Sequence, residues 1–260
     1  MLARDTEFET SAETAGPIAI GPFAMQRFQL ADVVALVRSH VQQRKPLDIA
    51  ICNAHTILTA LDDPDYADTL QKMTLLNDGI GISLANRFLH GQSFPENLNG
   101  TDLIPNILAD IGLPLRIYLL GAREEQVTGA RAQIEATYPM HEVVGCRDGY
   151  FGADETDEIC AAINEAKPDL LLVAMGNPRQ EFFITSNRLR LDVPVAIGVG
   201  ALFDFLSGAV VRAPRAVQKL GLEWLFRLLQ EPRRLFRRYV IGIPRFLFEM
   251  AKVKYRRPAE

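Results

Sequence analysis

Three stretches of this 260-residue chain combine residue types that can do chemistry. In "TLLNDGIGIS", Asp78 stands between an apolar run and a glycine-rich turn. A carboxylate there can face a cleft and take a proton from an attacking hydroxyl; Asp-Gly is equally a common turn or N-cap pair. In "LLLVAMGNPRQEFF", Gly176 and Pro178 lead into a helix whose first turn would hold Gln180 and Glu181. An amide beside a carboxylate offers donors and acceptors in fixed places, suited to sugar hydroxyls or the edge of a base, although the helix dipole alone also favours Glu181 there. In "EWLFRLLQEPRRLFRRYV", the arginines at 227, 233, 234, 237 and 238 supply guanidinium forks that pair bidentately with phosphate oxygens.

Repeated helix–strand units must position these groups. The spacing predicts helices in "ADVVALVRSHVQQ", "TDLIPNILADIG", "EEQVTGARAQIEATY", "ETDEICAAINEAK" and "RQEFFITSNRLR", alternating with nearly continuous apolar strands such as "LDIAIC", "LRIYLLG", "EVVGC", "DLLLVAM" and "VPVAIGVG". That pattern is an α/β fold, a Rossmann-like, mostly parallel sheet with helices on both faces. Ligands in such sheets bind beyond the carboxyl ends of the strands. The segments expected there are "CNAH", "NDGIGIS", "GARE", "GNPRQE" and "GVGALFD", four of which carry glycine where a strand gives way to a helix. Amides at helix N-termini are good phosphate seats, so a nucleotide site is expected, with Gly198 and Gly200 letting it approach the backbone. The dinucleotide fingerprint is incomplete: "GIGISL" lacks the third glycine and "GVGALF" has Phe203 in its place.

Hydrophobic content of 48% and charged content of 23% are those of a globular domain. Three scattered cysteines and four scattered histidines give no disulfide framework or zinc spacing. "DDPD", Asp62 to Asp65, has Asp-x-Asp spacing but reads as a cap or solvated turn, so neither metal nor cofactor is expected. Residues 1–17 are acidic without an apolar core and read as a disordered lead-in or an arm rather than a secretory signal. Residues 18–211 form the expected catalytic domain and 212–260 an appendage. The appendage carries 13 Lys and Arg against 4 Asp and Glu, leaving 15 cations and 28 anions in residues 1–211. Its partner should be anionic: a diphosphate, lipid headgroups or the body itself, not nucleic acid. Laid on a wheel, "RRLFRRYVIGI" puts Arg233, Arg234, Arg237 and Arg238 on one arc, opposite Leu235, Phe236, Tyr239, Val240 and Ile243. Pro244 is expected to end or kink this helix, and "RFLFEMAKVKYRR" continues the basic amphipathic style of a helix lying in a membrane interface.

Taken in order, "CNAHTIL", "NDGIGI", "NGTDLIP", "DLLLVAMGNPRQEFF", "AIGVGALFDFLSG", "RAP" and "QKLGLEWLFRLLQEPRRLFRRY" resemble the WecG/TagA/CpsF family of bacterial glycosyltransferases, from about residue 47 to about 245. The resemblance implies an inverting, metal-independent enzyme. It would move a hexose-type sugar (glucose, N-acetylmannosamine or its uronate) from a UDP-sugar to a polyprenyl-diphosphate-linked saccharide. The reaction would take place on the cytoplasmic, inner face of the membrane, with a peripheral enzyme whose relatives suggest homo-oligomers. "PENLNGTD" is most similar to members serving exopolysaccharide assembly. Departures at Ile51, Asn77, Asn97 and Asn99 bear on sugar specificity rather than reaction class.

With that resemblance, Asp78 is the expected catalytic base. Asn53, Thr101, Asp102, Gly176, Gln180, Glu181, Gly198 and Gly200 are expected on the ligand side. Thr101 and Asp102 also read as helix caps, and Glu181 is divided between ligand contact and the dipole role. Arg179 is expected to be peripheral and Trp224 a packing anchor. Arg227, Arg233, Arg234, Arg237 and Arg238 are the supply of charge for a diphosphate or membrane, undivided between the two. The alternative readings are a nicotinamide-dependent oxidoreductase, separable by protection from heat with NAD rather than UDP, and a non-catalytic membrane-associated assembly partner, separable by turnover of any UDP-sugar.

Overall fold

A computed structural model of the chain describes residues 16–214, 217 and 222–256; the side chains of Arg234 and Arg256 lie outside the described residues, as does most of the acidic lead-in. Eight strands form one sheet: β1 (Ile18–Ile20), β2 (Phe23–Met25), β3 (Leu47–Cys52), β4 (Thr74–Asn77), β5 (Arg116–Gly121), β6 (Glu142–Arg147), β7 (Leu170–Ala174) and β8 (Val195–Gly198). Their order is β1-β2-β4-β3-β8-β7-β5-β6, with every pairing parallel except the β1–β2 hairpin. The hairpin is an addition to the sequence reading. Its three-residue strands are too short for alternation to register, and Gly21 makes the turn with φ 63°.

The helices fall on both faces, because strands apolar on both sides must be covered twice. On one face lie α1 (Leu30–Gln43), α5 (Gly100–Asp110), α6 (Glu124–Thr137) and α9 (Leu202–Leu206), whose buried residues join one core cluster. On the other lie α2 (Ala54–Asp62), α3 (Pro64–Gln71), α4 (Gly79–His90), α7 (Thr156–Ala166) and α8 (Arg179–Ser186). The appendage continues as α10 (Glu223–Gln230), α11 (Pro232–Phe236), a π-helical stretch (Arg237–Ile241) and α12 (Gly242–Arg256).

Two features of the appendage correct the wheel. The π stretch widens the turn at 237–241 and the apolar arc drawn through 233–243 is divided: Leu235 is buried, whereas Phe236 and Val240 are exposed. Pro244 falls in the first turn of α12 rather than ending a helix, since the wider turn just before it already interrupts the i→i−4 ladder that a proline would break. Nor is the appendage only a surface element. Phe246 and Met250 of α12 are fully buried in the core cluster beneath α2, α3 and α4.

Candidate active site

A cleft of about 1090 Å³ opens at the carboxyl end of the sheet, between the strand-end loops and the appendage. That exceeds what a single drug-sized ligand needs and leaves room for two substrates. It is lined by Asn53, Asp78, Thr101, Gly176, Gln180, Gly198 and Gly200 from the loops, and by Arg227, Arg237 and Arg238 from the appendage. Glu181, Asp102 and Arg233 do not line it; Arg233 is exposed.

Asp78 occupies the N-cap position of α4 but makes no capping hydrogen bond. Asn97 takes that task, its Oδ1 accepting from the Gly79 N–H at 2.7 Å. The Asp78 carboxylate is left toward the cleft, approached at 3.5 Å by Asn53 Nδ2. Burial pushes its pKa up from the ordinary aspartate range; the Arg238 charge, the Asn53 hydrogen bond and the Arg227 charge pull it down, and Asp102 pushes it up. Asn53 is itself the N-cap of α2, its Oδ1 accepting from His55 N and Thr56 N, so its rotamer is fixed and its amide is aimed.

The "GNPRQEFF" stretch is a bracket. Gln180 Oε1 accepts from the Gly176 N–H at 3.2 Å and from the Gly200 N–H at 3.0 Å, tying the ends of β7 and β8 together. Its Nε2 donates to Glu181 Oε1 at 2.7 Å. The buried Glu181 also accepts from Asn177 Nδ2 at 2.7 Å and from the Tyr66 hydroxyl of α3 at 3.1 Å. Burial raises the Glu181 pKa, while the donors from Gln180, Tyr66 and Asn177 pull it back. Glu181 therefore holds the fold of the corner. Gly198 lines the cleft and also makes room for the bracket: a Cβ there would stand 2.8 Å from Gln180 Nε2. Arg179 donates to Gly149 O at 3.2 Å and anchors the loop after β6.

The same bonds occupy several of the expected phosphate seats. At α2 the first amides go to Asn53 Oδ1, at α4 to Asn97 Oδ1, at α5 to Asn99 Oδ1, and the glycine amides at 176 and 200 go to Gln180. Side-chain acceptors therefore occupy part of these corners, whereas α6, behind "GARE", has no side-chain cap and its Arg123 and Gln126 line the cleft. Asn99, not Thr101 or Asp102, caps α5; Thr101 donates to Asn99 Oδ1 at 2.6 Å. Asp63 caps α3 and Asp62 pairs with Arg245 at 2.6 Å, which accounts for both ends of the first "DD" pair.

Across the cleft, the Arg227 guanidinium lies 5.0 Å above the Phe205 ring of α9, and its buried Nε has no protein hydrogen-bond partner. Trp224 lines the cleft and packs edge-on against Tyr239 at 6.1 Å. Two contributors escaped the sequence reading. Arg212 donates to Asp102 Oδ2 at 2.6 Å and lies 3.8 Å from Glu223 Oε1, joining the first turn of α5 to the start of α10. For Asp102, burial is outweighed by the bonds from Arg212 and Asn99, so its pKa falls. Glu223 lines the cleft and burial raises its pKa. Both lie in stretches that carry the resemblance, Arg212 in "RAP" and Glu223 in "QKLGLEWLFRLLQEPRRLFRRY", but no local pattern marks a partner such as Asp102, 110 residues away.

The family model described as "Glycosyl transferase WecG/TagA/CpsF family" matches residues 18–260. The chain belongs to that family. It is 32% identical over 219 residues to the N-acetylglucosaminyldiphosphoundecaprenol N-acetyl-beta-D-mannosaminyltransferase of Bacillus subtilis (strain 168), covering 84% of each chain. A protein of the same description from Bacillus spizizenii (strain ATCC 23059 / NRRL B-14472 / W23) is 30% identical, over 84% of this chain and 83% of its own. Among the described residues, no helix of this glycosyltransferase is long and apolar enough to cross a membrane.

Proposed function

We propose that the protein transfers a hexose-type sugar from a UDP-sugar to a polyprenyl-diphosphate-linked saccharide, with inversion and without a metal. The observation that carries this reading is Asp78, a carboxylate at the N-cap of α4 whose capping work is done by another residue and which instead faces the cleft among appendage arginines. In the proposed step, Asp78 takes the proton of the acceptor hydroxyl as its oxygen bonds to the anomeric carbon. The bond from that carbon to the UDP oxygen breaks with its electron pair, which inverts the centre. Arg227, Arg237 and Arg238, which line the cleft, meet the charge gathering on the departing diphosphate. Both Bacillus relatives are named for an N-acetylmannosaminyl donor group and an undecaprenol-diphosphate acceptor, which supports N-acetylmannosamine among the candidate sugars and a lipid-linked acceptor. The acceptor class and the appendage cations support a peripheral seat on the inner, anionic face of the membrane.

Asp78→Asn is the test. Turnover should fall by about 10³-fold, within the range of a lost general base, while UDP binding stays within a few-fold. Stability supplies an independent check. A carboxyl whose folded pKa is raised holds its proton more tightly in the folded state than in the unfolded one. The ionised form therefore costs stability at neutral pH, and that cost disappears as pH falls through the raised pKa. The Asn variant should melt above wild type at pH 7, with the gap closing in acid. The acidic limb of kcat/KM for wild type should also lie above the ordinary aspartate range. Near-normal turnover in the variant would retire Asp78 as the base.

A further inference from the structure

Helix α4 carries large apolar side chains on its outer side. Ile80, Leu84 and Phe88 recur every fourth residue and are 44%, 45% and 38% exposed, while Gly81, Ile82, Ala85 and Asn86 face inward. Single exposed apolar residues are ordinary, but three in one row on a helix form a patch that needs a partner. α12 packs beside α4 and extends the apolar surface with exposed Phe248 and Tyr255. Cations stand over these rings. Lys254 Nζ lies 4.4 Å above Phe88 and donates to the Phe88 carbonyl at 2.6 Å, and Lys252 Nζ lies 4.6 Å above Phe248. Arg87 adds a charge to the last turn of α4. At its other end the row reaches the active site, because Ile80 lines the cleft together with Asp78 and Gly79.

We propose that the outer face of α4, on the catalytic core, forms a membrane-seating surface together with the exposed rings of α12. Apolar side chains enter the headgroup–acyl boundary and the flanking cations meet anionic headgroups, the division of labour of an interfacial helix. This cationic rim and the continuity of the row with the cleft both suit a bilayer. From Ile80 to Phe88 the helix advances about 12 Å, so a core seated along α4 brings the Asp78 end of the cleft to the plane where a lipid diphosphate lies. The proposal rests on the lipid-linked acceptor named above, and it extends the bilayer contact from the basic appendage onto the catalytic core.

The experiment uses the full chain and vesicles of phosphatidylglycerol and phosphatidylethanolamine. Leu84→Ser/Phe88→Ser should lower vesicle partitioning by about 10-fold or more, as expected for two half-exposed apolar groups that no longer enter the boundary. The melting temperature and turnover of a short-chain, water-soluble acceptor should match wild type. In a second variant, Leu84→Trp, vesicles of brominated acyl chains should quench the added indole emission. Unchanged partitioning of the double variant, or no quenching at position 84, overturns the proposal. A wild-type dimer made monomeric by the double variant with vesicle binding intact also overturns it, and assigns the face to a second copy of the chain. Loss of vesicle binding in a protein that turns over no lipid-diphosphate acceptor would keep the seating surface and retract the acceptor reading instead.

Discussion

Gln180 and Arg238 both line the cleft, but they are held in different ways. Gln180 belongs to a buried corner in which its amide oxygen accepts from two backbone amides and Glu181 collects donors from Gln180, Asn177 and Tyr66. A polar network fully satisfied in a low-dielectric setting is rigid, and breaking one member strands the others. Arg238 sits half-buried on a π-helical stretch, 5.7 Å over the ring of its neighbour Tyr239, in an appendage tied to the core by the Asp102–Arg212–Glu223 bridge and the Asp62–Arg245 pair. Such partly exposed pairs each contribute little. The corner is held by a buried network; the stretch that carries Arg238 is held by partly exposed pairs on one side and by the burial of Phe246 and Met250 of α12 on the other.

Glu181→Ala tests the rigid side. It should cost roughly 2–4 kcal/mol of stability by stranding the Tyr66, Asn177 and Gln180 donors, measured as a drop in the chemical-denaturation midpoint. A loss of substrate affinity at unchanged stability would instead make Glu181 a ligand contact and erase the contrast. On the appendage side, Arg238→Gln should lower kcat/KM by about 10²-fold with the melting temperature unchanged, the scale of a lost charge-stabilising group. Arg233→Gln, at an exposed residue outside the cleft lining, should leave turnover within about two-fold in the same assay. If both arginine variants behave alike, the cleft lining does not select among the cations. Arg212→Ala should have a smaller effect, about three- to five-fold on kcat/KM, since the bridge it removes is partly exposed. Added salt should erode wild-type activity toward the variant's. Chelation by EDTA should change nothing; loss of turnover restored by Mg²⁺ would transfer the diphosphate charge from arginine to metal.

The parallel sheet was legible because its strands are apolar on both faces and its helices repeat at 3.6 residues. "LDIAIC" coincides with β3, and "EEQVTGARAQIEATY" runs one residue past the end of α6, for that reason. The edge hairpin was not, since "IAI" and "FAM" carry too few residues for a period to emerge. Asp78, Gln180 and the arginines could be singled out from their types and neighbours. Their tasks could not. Whether Asp78 caps its own helix depends on Asn97, eighteen residues beyond Gly79, and whether Gln180 meets a ligand depends on where Gly200 falls.

By itself, then, the sequence determined the layered α/β architecture, the position of the strand-end loops and the concentration of positive charge after residue 211, because periodicity and net charge are properties of neighbours along the chain. Tertiary structure alone decided that Asn97 rather than Asp78 caps α4, that Glu181 is buried, that Arg233 lies outside the cleft which Arg227, Arg237 and Arg238 line, and that α12 contributes Phe246 and Met250 to the core. Those outcomes depend on hydrogen bonds and burial between segments far apart in sequence. A π turn of five residues was enough to change which side chains of the appendage face outward, and nothing in the local pattern announces it.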